Sequence, residues 1–173
     1  MLELKYYVCC EILMDGVKNN DFDLVKKSFE DIDHLEIYRK NVLTFCDKNP
    51  YISQNVRNID DKINKYKNFA LKKSIFYSRM EITYFLLENT DYKENLNQLM
   101  VESVKCGKLK LVKLFLKEGA EFSYSGFEAI IYSIKNNQTE IFSYLIDNYT
   151  IMDNYEHIIE CYGLSYGRTE MLK

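Results

Sequence analysis

The amino-acid sequence predicts an all-α fold in which short helices pack as a stack of pairs. Residues 101–121 read as two helices in succession, and the second, between residues 109 and 116, has six apolar side chains around most of its circumference. A short helix this apolar needs neighbours on two or more sides, as a helix inside a stack has. One proline and six glycines are too few for the turns of an all-β fold. The third observation is a repeat of about thirty residues.

The repeat is marked by one glycine or small polar residue just after each first helix. Steps of 29 or 30 residues lead from Ser78 to Gly107, Asn137 and Gly167, and twice 29 residues separate Ser78 from Asn20. Mostly apolar side chains recur four and five residues after each marker, as the buried face of a second helix requires. Five copies therefore share one period.

The first helix of each copy carries a small residue four positions before the marker. These small residues are Gly16, Ser74, Ser103, Ser133 and Gly163. Three positions earlier, four copies have an apolar residue that we expect to be buried, and the fifth has Glu160. The four apolar residues are Leu13, Leu71, Met100 and Ile130. Agreement at both small and large positions predicts a true structural repeat.

The pattern fades between residues 29 and 66. The period places a marker near Asn49 or Pro50, and Pro50 suits the first position of a helix. Phe45, however, stands where a small residue is expected. We interpret residues 29–66 as a degenerate repeat with a longer second helix, and an unrelated helical insertion is the alternative. Residues 1–173 are then a single domain of about six helix pairs, the last of them incomplete.

Residues 107–120, which read G-x-L-x-x-V-x-x-x-L-x-x-G-A, resemble the second half of an ankyrin repeat. The resemblance covers most of the chain, and its thirty-residue spacing is similar to the short repeats of ankyrin proteins from giant DNA viruses. It implies a helical solenoid in which the small residue lets the first helix press closely on its neighbour. The T-P-L-H motif is absent from every copy. We therefore expect the β-hairpin fingers between repeats to be reduced to loops.

The sequence offers little for catalysis. None of the common nucleotide-binding or catalytic motifs is present. We interpret His34 and His157 as having no cysteine or acid nearby at metal-ligand spacing. We therefore expect no enzyme activity, no metal and no cofactor. His34 is expected in a loop, and His157 in a structural role that the resemblance implies. A net charge of −3 argues against nucleic-acid binding, and no apolar run is long enough to cross a membrane. Five cysteines, an odd number without C-x-x-C spacing, indicate free thiols in the cytoplasm.

The resemblance implies that a protein partner binds at the two residues before each marker, here called the rim positions, and in the fingers. The rim residues are Lys18, Asn19, Phe76, Tyr77, Lys105, Cys106, Lys135, Asn136, Ser165 and Tyr166. The candidate protein-binding residues among them are Phe76, Tyr77, Lys105, Lys135, Asn136 and Tyr166. The finger positions add Tyr124, Ser125 and Tyr155. The alternative is that some of these tyrosines only fill irregular loops in a chain that is 14% aromatic.

The predicted function is a non-catalytic protein–protein interaction module that binds its partner on a concave face. For a viral protein, the resemblance implies a partner in the host cytoplasm that the module diverts or inhibits. The rival hypothesis is a structural or self-assembling protein. The chain stops at Lys173 inside the last second helix, and the opening helix, around residues 6–14, is as apolar as an inner one. Such uncapped ends predict an oligomer or a longer array.

Overall fold

Helices form the regular structure of the residues that the computed structural model describes, which are 2–46, 50–148 and 156–172, and no strand occurs among them. The all-α class is therefore confirmed over this part of the chain. None of these helices combines the length and apolar character needed to cross a bilayer. The chain divides into two compact units, Met1–Tyr92 and Lys93–Lys173.

The first unit contains two antiparallel helix pairs. Helix α1 (Leu2–Asn19) pairs with α2 (Phe22–Cys46), and α3 (Pro50–Phe76) pairs with α4 (Met80–Asn89). The first helices α1 and α3 pack side by side, and α4 also touches α2, so the unit has two layers. Leu13, Val25, Leu71 and Leu86 lie fully buried between them. The predicted apolar positions Leu13 and Leu71 thus belong to the core.

The second unit repeats this arrangement with shorter helices. A 3₁₀ helix (Lys93–Asn95) leads into α5 (Leu96–Lys105), which is followed by α6 (Leu109–Lys117), α7 (Phe122–Lys135), α8 (Thr139–Asn148), α9 (Glu156–Ser165) and a 3₁₀ helix (Thr169–Leu172). The first helices α5, α7 and α9 lie in one layer, and the second helices lie in the other. Met100 and Ile130 are buried, as predicted. Between α6 and α7 the chain makes a short connection without a strand, as expected for a reduced finger.

The five sequence markers are the residues at which the chain leaves its first helices. Their φ angles are all positive, between 56° at Asn137 and 70° at Gly107. The residue after each marker donates its N–H to the carbonyl of the small residue four positions before the marker, over 2.7–2.8 Å. This is the Schellman arrangement, which requires a left-handed residue at the turn and therefore favours glycine or asparagine. Ser78 is the exception, a serine held at φ 59°.

The small residues are buried because the second helix of the same pair runs directly against them. A Cβ atom added to Gly16 would lie 2.9 Å from Val25 Cγ2 and 3.2 Å from the Asp21 carbonyl oxygen. At the same place in the next pair, the Ser74 hydroxyl contacts the Thr83 hydroxyl over 2.8 Å. The close approach that the resemblance implied is therefore present between the two helices of a pair.

The prediction of about six helix pairs is not confirmed, since the described residues hold five. Residues 29–46 continue α2, and residues 50–66 are the first part of α3, so two long helices replace the extra pair. Pro50 begins α3, as its fixed φ angle predicted. The buried Lys67 of α3 joins the two long helices, with its Nζ 3.5 Å from Asp33 Oδ1 and 3.5 Å from Glu36 Oε1.

Candidate functional site

Each rim position lies at the C-terminal end of a first helix, immediately before the left-handed turn. Lys18, Asn19, Phe76 and Tyr77 belong to the first unit, and the other six rim residues belong to the second. Because the small residue of the same turn faces the second helix, the rim side chains are left exposed or half-buried. The rim is thus a regular product of the turn that ends each first helix.

In the first unit, aromatic side chains gather around one lysine on α3. Phe76 is 55% exposed, and its ring meets that of Tyr77 edge to face with the centroids 5.3 Å apart. Lys73 Nζ lies 5.4 Å from the Phe76 ring centroid and 5.3 Å from that of Phe69, which is also exposed. We call Phe69, Lys73, Phe76 and Tyr77 the aromatic cluster. Sequence reasoning found its two rim members and missed Phe69 and Lys73, although their spacing of seven and three residues from Phe76 places them on one helix face.

In the second unit, the rim lysine Lys105 is held between α5 and α7. Its Nζ lies 3.6 Å from Glu128 Oε1 and 4.2 Å from the centroid of the Tyr132 ring. Both contacts come from α7, so the ammonium group bridges two first helices. A partly exposed ion pair of this kind contributes little on its own, and the cation–π contact adds to it.

The backbone of the same lysine is also engaged by the following repeat. The Lys105 carbonyl accepts hydrogen bonds from Asn136 Nδ2 over 3.0 Å and from Gln138 Nε2 over 3.2 Å. In the first unit, Arg79 Nη2 donates to the Lys18 carbonyl over 3.2 Å. Arg79 and Gln138 each follow a marker, so the same backward bond is made in both units. Asn136 is therefore a structural link as well as a candidate binding residue.

The remaining candidates of the second unit present free surface. Lys135, the last residue of α7, is exposed. Tyr166 is 40% exposed and stacks on Tyr162, with the centroids 6.2 Å apart and the rings 13° from parallel. Of the finger positions, Tyr124 and Ser125 belong to the first turn of α7 instead of a loop, which corrects the sequence assignment. Tyr155 lies outside the described residues.

Two buried or half-buried thiols are poor nucleophiles. Burial raises the pKa of the Cys10 thiol from its usual 9.0 to about 11. Burial also raises the pKa of the rim thiol Cys106, and the Glu102 carboxylate adds to this effect while Lys108 and Lys105 oppose it. Because the thiolate is the nucleophilic form, a raised pKa lowers the reactivity of these two thiols at neutral pH.

His34 differs from its sequence prediction, and His157 has a neighbour that sequence reasoning did not consider. His34, which we expected in a loop, lies within α2, where it lines an open groove of about 500 Å³ with Leu4, Val8 and Asp31. His157 does have a cysteine nearby, since its Nε2 lies 3.8 Å from the Sγ of Cys161 one helical turn away. The signal was present in the sequence as a spacing of four residues on a helix. No group of three or more His, Cys, Asp or Glu residues suited to a metal occurs among the described residues.

One face of α1 is apolar and exposed between residues 4 and 12. Leu4, Val8 and Ile12 recur every four residues, and Leu4 is 67% exposed. The opening helix is thus as apolar as the sequence indicated, and its outward face is open in the described structure.

The helix pairs, the small buried residues and the left-handed markers together define an all-helical protein built from a short repeat. No protein-family model matches the chain, and no solved structure matches it. Among curated proteins, the chain is similar to the putative ankyrin repeat protein R837 of Acanthamoeba polyphaga mimivirus. The two are 27% identical over 86 residues, which is 47% of this chain and 14% of the viral protein. The chain thus corresponds to a small part of that relative, and the similarity supports ankyrin-like repeats over about half of the chain.

Proposed function

We propose that this chain is a non-catalytic interaction module that binds a protein partner through its rim. The observation that carries the proposal is the aromatic cluster, in which Phe76 and Phe69 are exposed on either side of Lys73. Exposed aromatic side chains without a packing role are typical anchors of protein interfaces. The rim residues lie at the C-terminal ends of first helices that pack in the core. Little conformational entropy is therefore lost from the backbone when a partner binds.

The candidate residues divide into two kinds. Phe76, Tyr77, Lys135 and Tyr166 offer surface for direct contact. Lys105 and Asn136 each contact the neighbouring repeat, Lys105 through its ammonium group and Asn136 through its side-chain amide. Their contribution is to fix the positions of the rim residues. The similarity to a viral ankyrin repeat protein supports the proposal that the partner is a protein. We further propose that this partner is a host protein in the cytoplasm and that the module diverts or inhibits it.

Capture of partner proteins from an amoebal lysate tests this proposal. The immobilised chain is compared with the double variant Phe76→Ala/Tyr77→Ala and with the control Tyr84→Ala. Tyr84 lies on α4 and is 43% exposed, so it matches the rim aromatics in exposure but not in position. We expect proteins captured by the wild type and the control to be lost with the double variant. Equal capture by all three, at equal thermal stability, would rule out the aromatic cluster.

Self-assembly is the second candidate function, and the exposed apolar face of α1 favours it. Leu4, Val8 and Ile12 form a continuous stripe of the kind that copies of a chain bury in an oligomer. Sedimentation equilibrium separates the two candidates. A mass that rises with concentration and returns to that of one chain in Val8→Glu supports assembly, whereas a wild-type monomer at every concentration excludes it.

A further inference from the structure

His157 and Cys161 are two metal-ligating side chains that the proposed binding function leaves unused. They lie four residues apart on α9 and therefore share one helix face. Their closest atoms, His157 Nε2 and Cys161 Sγ, are 3.8 Å apart, and both residues are exposed. An imidazole nitrogen and a thiol sulfur are both good ligands for borderline and soft divalent cations.

The separation of the two ligand atoms fits a tetrahedral ion. A zinc ion bonded to sulfur at about 2.3 Å and to nitrogen at about 2.05 Å, with a tetrahedral angle between them, sets the two ligand atoms about 3.6 Å apart. The observed distance of 3.8 Å differs from this by a few tenths of an ångström. A small side-chain rotation closes the difference, so the helix backbone need not change.

The position that His157 occupies in its repeat carries asparagine in two of the other copies. Ten residues before the marker, two earlier repeats have asparagines that bond loop backbone, whereas the repeat directly before has Phe127. Asn68 Nδ2 donates to the Asp91 carbonyl over 2.9 Å, and the Glu121 N–H donates to Asn97 Oδ1 over 2.7 Å. His157 occupies the equivalent position, but its imidazole faces Cys161.

We propose that His157 and Cys161 bind a divalent cation of the zinc class through Nε2 and Sγ. The thiol releases its proton to solvent when the sulfur binds the ion, and the imidazole binds in its neutral form. Since no third His, Cys, Asp or Glu joins the pair in the described part of the chain, water fills the other positions. The site is therefore open, unlike the closed four-ligand sites that hold small folds together.

Titration of the full chain with Co²⁺, a spectroscopic substitute for zinc, tests the proposal. The reduced wild type should bind one equivalent and develop a thiolate-to-cobalt charge-transfer band. Cys161→Ser should abolish the band, and His157→Ala should weaken binding at least tenfold, since loss of even an indirect contact to a metal ligand has an effect of about tenfold or more. Cys106→Ser and His34→Ala are matched controls that should leave the band and the affinity unchanged.

Both ligand residues are exposed, so the variants are expected to keep the wild-type circular dichroism spectrum and melting temperature. Competition by Zn²⁺ should remove the cobalt band in the wild type. A band of full intensity in Cys161→Ser would place the ion on another cysteine and overturn the proposal. Unchanged affinity in His157→Ala would also overturn it, because a single thiolate would then account for all binding.

Discussion

Asn136 donates a hydrogen bond from its side-chain amide to the main-chain carbonyl of Lys105, over 3.0 Å. The two residues are rim positions of consecutive repeats, and Gln138 donates a second bond to the same carbonyl. The surface that we propose for partner binding therefore also joins neighbouring repeats. Effects of rim substitutions on stability and on binding must be measured separately.

Asn136→Ala should lower the free energy of unfolding by about 1 kcal/mol, because it removes one hydrogen bond between repeats. Its neighbour Lys135→Ala provides the control, since that side chain is exposed and an exposed surface change alters stability by no more than about 0.5 kcal/mol. Urea unfolding followed by circular dichroism measures both. Equal stability of the two variants would show that the bond to Lys105 contributes nothing.

Ser78→Gly and Gly107→Ala should have opposite effects on stability. Ser78 is held at φ 59°, where glycine is unstrained, so we expect Ser78→Gly to stabilise the chain by up to about 1 kcal/mol. Gly107 has a φ of 70°, and a Cβ there would also approach Gln138 Nε2 to 3.3 Å. Gly107→Ala should therefore destabilise by about 1–2 kcal/mol. Melting curves of the two variants that shift in the same direction would contradict the assigned turns.

The sequence predicted the ends of the first helices well for a physical reason. A helix that ends in a left-handed residue restricts that position to a few residue types, and the second helix restricts the position four earlier to small ones. Both restrictions act within one helix pair, so they recur each time the pair is repeated along the chain. The markers and the small residues could therefore be read directly from spacing.

The number of helix pairs, and which rim side chains are already engaged in contacts, could not be predicted from spacing. The long helices α2 and α3 are joined by Lys67, whose partners Asp33 and Glu36 are more than thirty residues away in sequence. Likewise, the contacts of Lys105 depend on side chains of the next helix. Spacing identifies which residues stand at the rim, but only packing decides which of them remain free.

Lys67→Ala should destabilise the chain by about 1–3 kcal/mol, whereas Lys67→Met should lie within about 1 kcal/mol of the wild type. The lysine is buried, and its Nζ lies 4.9 Å from the Phe29 ring as well as near two carboxylates. Methionine keeps the packing, and the Asp33 and Glu36 side chains, which are 62% and 28% exposed, keep contact with water when the lysine is removed. Lys65→Ala, an exposed change on the same helix, is the control. Equal losses for Ala and Met would show that the charge, not the packing, stabilises the two long helices.

Alkylation of the native chain should modify Cys161 well before Cys10. Cys161 is exposed, whereas Cys10 is buried with a pKa of about 11, so about one Cys10 thiol in a thousand is ionised at pH 8. Because the thiolate is the reactive form, the alkylation rate of Cys10 should rise about tenfold for each unit by which the pH is raised, as long as the pH stays below that pKa. Mass spectrometry after timed iodoacetamide treatment measures both sites, with the urea-unfolded chain as reference. Equal native rates would contradict the burial of Cys10.

Titration of the purified partner into the chain, once capture has identified that partner, examines the role of the aromatic cluster. Isothermal calorimetry would compare the wild type, Phe76→Ala/Tyr77→Ala and Tyr84→Ala. If the cluster is the anchor, the double variant loses at least about 2 kcal/mol of binding free energy, which is roughly thirtyfold in Kd, and the control stays within about threefold. A double variant that is folded and binds as tightly as the wild type would contradict partner binding through this rim.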